Sequence, residues 1–214
     1  DDKLQMLKDA IGNRPVIAAT STHAGEEAAM IEAHRRLRSS FPGLLTVIVP
    51  RHPQRGREVY NLAERAGQAP ALRSQRQLPD RHTEIYVADT MGELGLTYRL
   101  APIVLVGGSL VEHGGQNPIE AIKLGAAVLH GPHVQNFAEI YAALDAARGS
   151  AEVTNPAELT RRIGNWLNDP AARNAATEAA RKTVARLGGA LDHTVTALEP
   201  YLLQLRISHR LSDA

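Results

Sequence analysis

What most constrains this chain is the alternation of two hydrophobic periods along its length. Short continuous apolar runs recur: "PVIAAT" (15–20), "LLTVIV" (44–49), "EIYVAD" (84–89), "PIVLVG" (102–107), "AAVLHG" (126–131) and the weaker "SAEVT" (150–154). Runs of this length, without polar residues in alternation, suit strands covered on both faces. Between them the spacing turns helical. Residues 25–39 set Ala28, Ile31 and Leu37 on one face, and Val59, Leu62, Ala63 and Ala66 repeat the period. Glu120, Ala121 and Leu124 begin another helix, and residues 136–147 give one more. Strand and helix in turn predict an open α/β fold: a Rossmann-like, mostly parallel sheet with helices on both faces and right-handed crossovers.

Around that pattern the chain divides into three parts. Residues 1–14, "DDKLQMLKDAIGNR", are a charged helical lead-in and linker, not a signal peptide. The opening Asp-Asp, without Met, suits a fragment or a processed chain. Residues 15–189 carry the sheet domain. Within it, 68–83 is polar and broken by Pro, an exposed loop around one short strand. Asn155 caps a helix with Pro156 at its first position, and Asp169-Pro170 ends that helix and starts an Ala-rich one. Residues 190–214 hold a last helix, broken at Pro200, whose apolar face (Leu191, Val195, Leu198, Leu202) is expected to pack toward a further domain.

Composition removes several classes. A formal net charge of +1 over 214 residues gives non-specific nucleic-acid binding no electrostatic support. The absence of cysteine excludes disulfides and thiolate metal sites. No apolar run approaches the roughly 20 residues that span a bilayer. No G-x-x-x-x-G-K-[ST] and no G-x-G-x-x-G after the first strand are present, which argues against triphosphatases and nicotinamide enzymes. His23, His113, His130 and His133 lack a metal-ligand spacing, and Ser21 and Ser109 sit in no nucleophile elbow.

Ligands of open α/β sheets bind at the carboxyl ends of strands, and four loops there are unusual. "STHAGEE" offers the hydroxyls of Ser21 and Thr22, a close approach at Gly25, and Glu26 and Glu27 in a first helical turn. Capping and dipole matching also account for that pattern. "PRHPQR" holds Arg51 between two prolines, poised for a phosphate, carboxylate or base edge, with His52 beside it a ligand or acid/base or, as a lone loop histidine more often is, a hydrogen-bonding prop. "DTMGELG" is expected to form a short helix containing Met91, Gly92, Glu93 and Leu94, capped by Asp89 and Thr90. Met91 and Leu94 suit a core, and amides near Gly92 suit a planar base. In "VGGSLVEHGGQNPIEA", Gly114, Gly115 and Asn117, with the helix behind Pro118, form an anion cradle. Glu120, one turn inside, either matches the helix dipole or accepts from a ribose diol.

These motifs, with "GPHVQNF" at 131–137, occur in an order and at spacings that resemble the Kdo (3-deoxy-D-manno-octulosonic acid) transferases of Gram-negative bacteria. The match runs from about Pro15 to Tyr201. The resemblance implies the C-terminal, donor-binding half of a two-domain GT-B glycosyltransferase. Such an enzyme moves Kdo from CMP-Kdo to a lipid A precursor at the cytoplasmic face of the inner membrane, with no metal or other cofactor. Its catalytic carboxylate base would lie in the N-terminal half, so no catalytic residue is expected here. Carried over by motif, CMP and donor contacts fall on Pro50, Arg51, Met91, Gly92, Glu93, Asn117, Pro118, Ile119 and Glu120. Ser21, Thr22, Gly114, Gly115, Gln116 and Asn136 are further donor-pocket candidates. Two positions depart from the family pattern. Gln116 stands where GGHN has His, so that position carries no charge toward a phosphate, and Ala88 stands where Gly commonly precedes Asp-Thr. Two other readings stay open from sequence: another GT-B enzyme using a UDP-sugar (a transferase or 2-epimerase), and a non-catalytic nucleotide-binding module.

Overall fold

Alternate residues of the first strand part to opposite faces of one sheet. Val16 and Ala18 enter one hydrophobic cluster, Ile17 and Ala19 another, and all four are buried. A residue such as Ile17, with no exposure, contributes about 1.5–3 kcal/mol by leaving water. The same division recurs along the other strands of the computed structural model, which describes residues 2–188. The strands are β1 (Val16–Thr22), β2 (Leu45–Pro50), β3 (Pro70–Leu72), β4 (Ile85–Val87), β5 (Ile103–Val106), β6 (Ala127–His130) and β7 (Ser150–Glu152). Their order is β3-β4-β2-β1-β5-β6-β7, and every neighbouring pair is parallel. The expected mostly parallel sheet is therefore wholly parallel among the described residues, and the loop at 68–83 contains its one short strand, β3.

Helices cover both faces. Leu7 and Ile11 of α1 (Asp2–Ile11), Leu96 and Tyr98 of α4 (Leu94–Leu100), Ala121 and Ile122 of α5 (Ile119–Lys123) and Tyr141 and Leu144 of α6 (Ala138–Ala146) pack on one side. Residues 170–188 are helical and add Ala180 and Val184 to that side. On the other lie α2 (Glu26–Leu37), α3 (Gly56–Arg65) and α7 (Pro156–Asn168). The caps read from sequence form: the Asn155 side chain accepts from Glu158 N at 2.9 Å, and Asp169 accepts from Ala172 N at 2.9 Å.

One helical face differs from expectation. Ala28 is exposed, while Ala29, Met30, Ala33 and Leu37 face the sheet and Ile31 turns toward α3. An α2 wedged against both the sheet and a neighbouring helix buries more than one stripe, so a single-face reading chose the wrong alanine. His34 on that helix is also fully buried. Its Nδ1 lies 2.9 Å from Thr46 Oγ1, and burial pushes the imidazole down to about 4, so it packs neutral. The apolar face expected at 190–205 lies outside the described residues.

The strand order fixes where a ligand can sit. From β1 the chain adds β2, sets β3 at the edge and β4 between them, then returns to place β5 on the other side of β1. Strand order therefore reverses between β1 and β5, and a crevice opens there beyond the carboxyl ends.

Candidate functional site

Ser21 stands at the mouth of that crevice in a left-handed conformation (φ 54°), where β1 slips register against β2 between Thr20 and Thr22. A non-glycine residue held there stores backbone strain, as residues at binding sites often do. Its neighbour Thr22 is buried, and the Thr22 hydroxyl donates to Glu27 Oε1 at 2.9 Å. Gly107 explains its own identity: a Cβ there would lie 2.6 Å from Ser21 O and 2.7 Å from Thr20 O.

Glu26 knits the crevice together. It is fully buried, and its carboxylate accepts from His23 N (2.9 Å), Gly108 N (2.7 Å), Ser109 N (3.0 Å) and Leu110 N (2.9 Å). The acids read as dipole-matched caps are thus tertiary acceptors. Glu26 binds the β1 loop to the β5 loop, and Glu27 takes Arg55 of the β2 loop at 2.6 Å. Sequence reading named both acids but not this role, because spacing shows a helix turn and not the amides that fold onto it.

Arg55 is committed to Glu27 and to Glu58 at 2.9 Å. Arg51 is exposed at the carboxyl end of β2, anchored by its own N–H donating to Thr22 O at 2.9 Å. Pro50 pairs with Thr22 in the register. The fold therefore sets Pro50 and Arg51 beside Ser21 and Thr22, with the Arg51 side chain on the surface.

The β4 loop corrects one expectation. Met91, Gly92 and Glu93 form a turn, and α4 begins only at Leu94 with Glu93 as its N-cap. Gly92 has φ 76°, outside helical space and favourable only to glycine. Met91 is 78% exposed rather than core. Glu93 accepts from Arg73 Nε (2.9 Å), Lys3 Nζ (2.8 Å) and Thr90 Oγ1 (2.6 Å), tying α1 and the segment after β3 to this turn. Asp89 accepts from Ser74 N at 2.8 Å and lies where a Cβ on Gly56 would stand, 2.3 Å from its Oδ2.

The β5 loop supplies the cradle, partly pre-filled. Gly115 N donates to Gly108 O at 2.7 Å, so its amide is not open to a phosphate, and Ile119 N is capped by Asn117 Oδ1 at 2.9 Å. Gly114 (φ 85°) receives Asn136: its carbonyl accepts from Asn136 N at 3.0 Å, and a Cβ there would lie 2.3 Å from Asn136 Nδ2. The Asn136 side chain donates to His113 O at 3.2 Å, and Tyr141 OH donates to Gln116 O at 2.9 Å. Glu120 is exposed, with Oε1 at 3.4 Å from the Cβ position of Gly95 at the start of α4. Two groups result. Ser21, Arg51 and Gln116 lie on loops that meet at the β1–β5 crevice, with Gly114 and Asn136 packed together beside them, while Glu120 stands against Gly95 in the first turn of α4. Pro118 is buried and Ile119 half-buried behind them.

Among the described residues one group has the closeness a metal ion needs: His130, Asp145 and Glu152, with candidate ligand atoms within 4.8 Å of one another. It lies on β6, α6 and β7, and the His130 ring already engages Gly131 O at 2.7 Å and Asp145 Oδ1 at 3.1 Å. No described helix is long and apolar enough to cross a membrane.

Residues 29–183 match the family model of the glycosyl transferases group 1. The 3-deoxy-D-manno-octulosonic acid transferase of Haemophilus influenzae is 38% identical over 191 residues, 89% of this chain and 45% of that protein. The namesake of Bordetella pertussis is 41% identical over 197 residues, 88% of this chain and 45% of that protein. Among solved structures, the C-terminal CMP-Kdo binding domain of WaaA from Acinetobacter baumannii superposes with a TM-score of 0.81 at 31% identity. The match covers 86% of this chain and 96% of that one. The chain belongs to the Kdo transferases, within the group 1 glycosyl transferases. It spans about half the length of the curated relatives it matches.

The chain carries the GT-B half-fold inferred from sequence. The departure at Gln116 lies near two histidines: Gln116 Nε2 and His23 Cδ2 are each 3.5 Å from the Cβ position of Gly108, and His113 Cβ is at 3.6 Å.

The Glu93 knot gives a pH prediction. The Arg73 hydrogen bond, more than those of Lys3 and Thr90, holds the Glu93 carboxyl down at about 2. A carboxyl lowered on folding contributes stability above its unfolded pKa of about 4.3, lost as pH falls toward 2. Glu93→Gln is expected to flatten the thermal-melting loss between pH 5 and 3, while costing about 1–2 kcal/mol at pH 7. An unchanged acid slope would show that the knot holds no stability.

Proposed function

We propose that this chain holds the CMP-Kdo donor of an inverting, metal-independent enzyme that transfers Kdo to a lipid A precursor at the cytoplasmic face of the inner membrane. One observation carries the reading: 31% identity and a TM-score of 0.81 to a CMP-Kdo binding domain matched over 96% of its length. The loop geometry supports it. Arg51 is a cation on a stiff loop at the strand ends. Gly92 and its neighbours present backbone on an exposed turn for a planar base, and Glu120, exposed beside Gly95 of the helix that follows, is an acceptor for ribose hydroxyls. Donor contacts are accordingly proposed for Pro50, Arg51, Met91, Gly92, Glu93, Asn117, Pro118, Ile119 and Glu120, with Ser21, Gly114, Gln116 and Asn136 around the sugar-phosphate end.

Chemically, this half binds and orients the donor and stabilises charge that gathers on the departing CMP phosphate. The base that removes the acceptor proton belongs to the other half of the enzyme. Catalysis by this chain alone is not expected.

Calorimetric titration with CMP and then UMP tests the reading. CMP is expected to bind more tightly than UMP. Arg51→Ala is expected to weaken CMP about tenfold or more, the loss of one charge-assisted hydrogen bond of about 1.5–3 kcal/mol. Equal binding of the two nucleotides would favour a UDP-sugar donor instead. Unchanged CMP affinity in the variant would remove Arg51 from the site.

A further inference from the structure

Three histidines from three loops meet in the crevice between β1 and β5. The rings of His23 and His113 stack, with centroids 3.9 Å apart and planes 16° from parallel. His52 meets His23 edge-on at 6.1 Å and 85°. The Nε2 atom of His23 is buried and has no hydrogen-bond partner among the described residues. A buried ring nitrogen without a partner is costly and points to a group that arrives with a ligand.

The charges around it are unbalanced. Those that reach His23 come from His113 on the β5 loop, His52 and Arg51 on the β2 loop, and Glu26 on α2. Glu26 is the one acid among them, and both its oxygens are spent on backbone amides. Positive charge gathered there repels itself, and an anion seated in the crevice offsets that repulsion. Burial foremost, then the charge of His113, lowers the pKa of His23, so the ring is neutral at pH 7.5 while the crevice is empty. An anion seated against it would reverse that balance and draw a proton from solvent.

Resting on the donor-binding reading above, we propose that His23 and His113, edged by His52, form an anion subsite that takes up a proton as it receives an acid group of the donor. Two acid groups of a sugar-acid nucleotide share the needed chemistry, the phosphate and the sugar carboxylate. Gln116 in the same pocket donates a hydrogen bond but no charge, which leaves the charge to the histidines.

Calorimetry at pH 7.5 in two buffers of different ionisation enthalpy counts the protons taken up. CMP itself contributes little there, because its phosphate, with a second pKa of about 6, is already doubly charged. If the phosphate is the ligand, CMP binding takes up a fraction of a proton and cytidine binding takes up none. His23→Gln removes the uptake and weakens CMP about tenfold. If the carboxylate is the ligand, CMP binds without uptake, free Kdo added to the CMP complex binds with it, and His23→Gln removes that uptake. His113→Gln, at an exposed position, is expected to act in the same direction, and melting curves confirm that both variants are folded. CMP and Kdo binding without proton uptake, unaltered in either variant, would overturn the subsite and leave the donor-binding reading standing. Failure of CMP to bind at all would overturn both.

Discussion

Glu26→Ala is expected to lower stability by about 3–5 kcal/mol and to abolish CMP binding along with it. The cost follows from what the carboxylate holds. Four backbone N–H groups, from His23, Gly108, Ser109 and Leu110, end on its two oxygens in a buried setting. Alanine removes every acceptor at once and leaves donors that water cannot readily reach, and breaking a buried charged network in this way costs about 3–5 kcal/mol. Against a total stability of about 5–15 kcal/mol, the melting temperature should fall by about 10 °C. Binding suffers because those amides set the path of the loop that carries Gly114 to Asn117. Glu26→Gln should be milder in stability, since it keeps one acceptor oxygen, yet its amide nitrogen faces N–H donors and cannot serve them. A melting temperature within 2 °C of the parent for Glu26→Ala would show that the loops hold their shape without the acid.

Gly131→Ala is expected to cost about 3 kcal/mol or more by a different route. Its Cβ would stand 2.1 Å from Ser109 O, 2.3 Å from Ser109 C and 2.5 Å from Leu110 N. All three are backbone atoms, so no side-chain rotation relieves the clash, and such overpacking is costly. The β5 loop must move, and moving it pulls Ser109 N and Leu110 N away from Glu26. The hydrogen bond from Gly131 N to Ser109 Oγ, 2.8 Å long, would go with it. Gly188→Ala serves as the control: it is helical with nothing within 4 Å, and alanine there should be neutral or stabilising by up to about 1 kcal/mol. Urea titrations of both variants read the difference. Equal midpoints would mean that the β5 and β6 loops are not packed as tightly as these distances require.

The two substitutions converge on one feature. The carboxyl-end loops are not independent surface loops but a laced rim. Glu26 joins the loops after β1 and β5, Gly131 and Ser109 join those after β5 and β6, and Glu27 with Arg55 joins those after β1 and β2. A rim held in this way presents Arg51, Gln116 and the three histidines at fixed positions without tying down their side chains through the loops' own backbone. Rigidity of the support lowers the ordering cost of binding.

Local chemistry alone determined much of this protein. Continuous apolar runs of five or six residues read as strands covered on both faces, and their alternation with helical spacing pointed to a parallel sheet. Caps such as Asn155 with Pro156 were legible because they involve neighbours in the chain. The ordered motifs placed the chain in its family, since glycines, prolines and charged residues at fixed spacings record the turns a site needs. The sequence-local view failed wherever a side chain answers to a distant partner. Met91 to Glu93 read as helix because Gly92 was given helical backbone, whereas tertiary packing held it at positive φ. Ala28 read as core because one helix was given one buried face. Glu26 read as a dipole cap because three of the four amides it accepts from lie 82 to 84 residues away. The same is true of the His23–His113 stack, which exists only because strand order reverses at β1 and sets β5 beside it. Periodicity and turn chemistry act over a few residues and are written in order along the chain; which loops share an edge is decided by topology, and only the folded sheet states it.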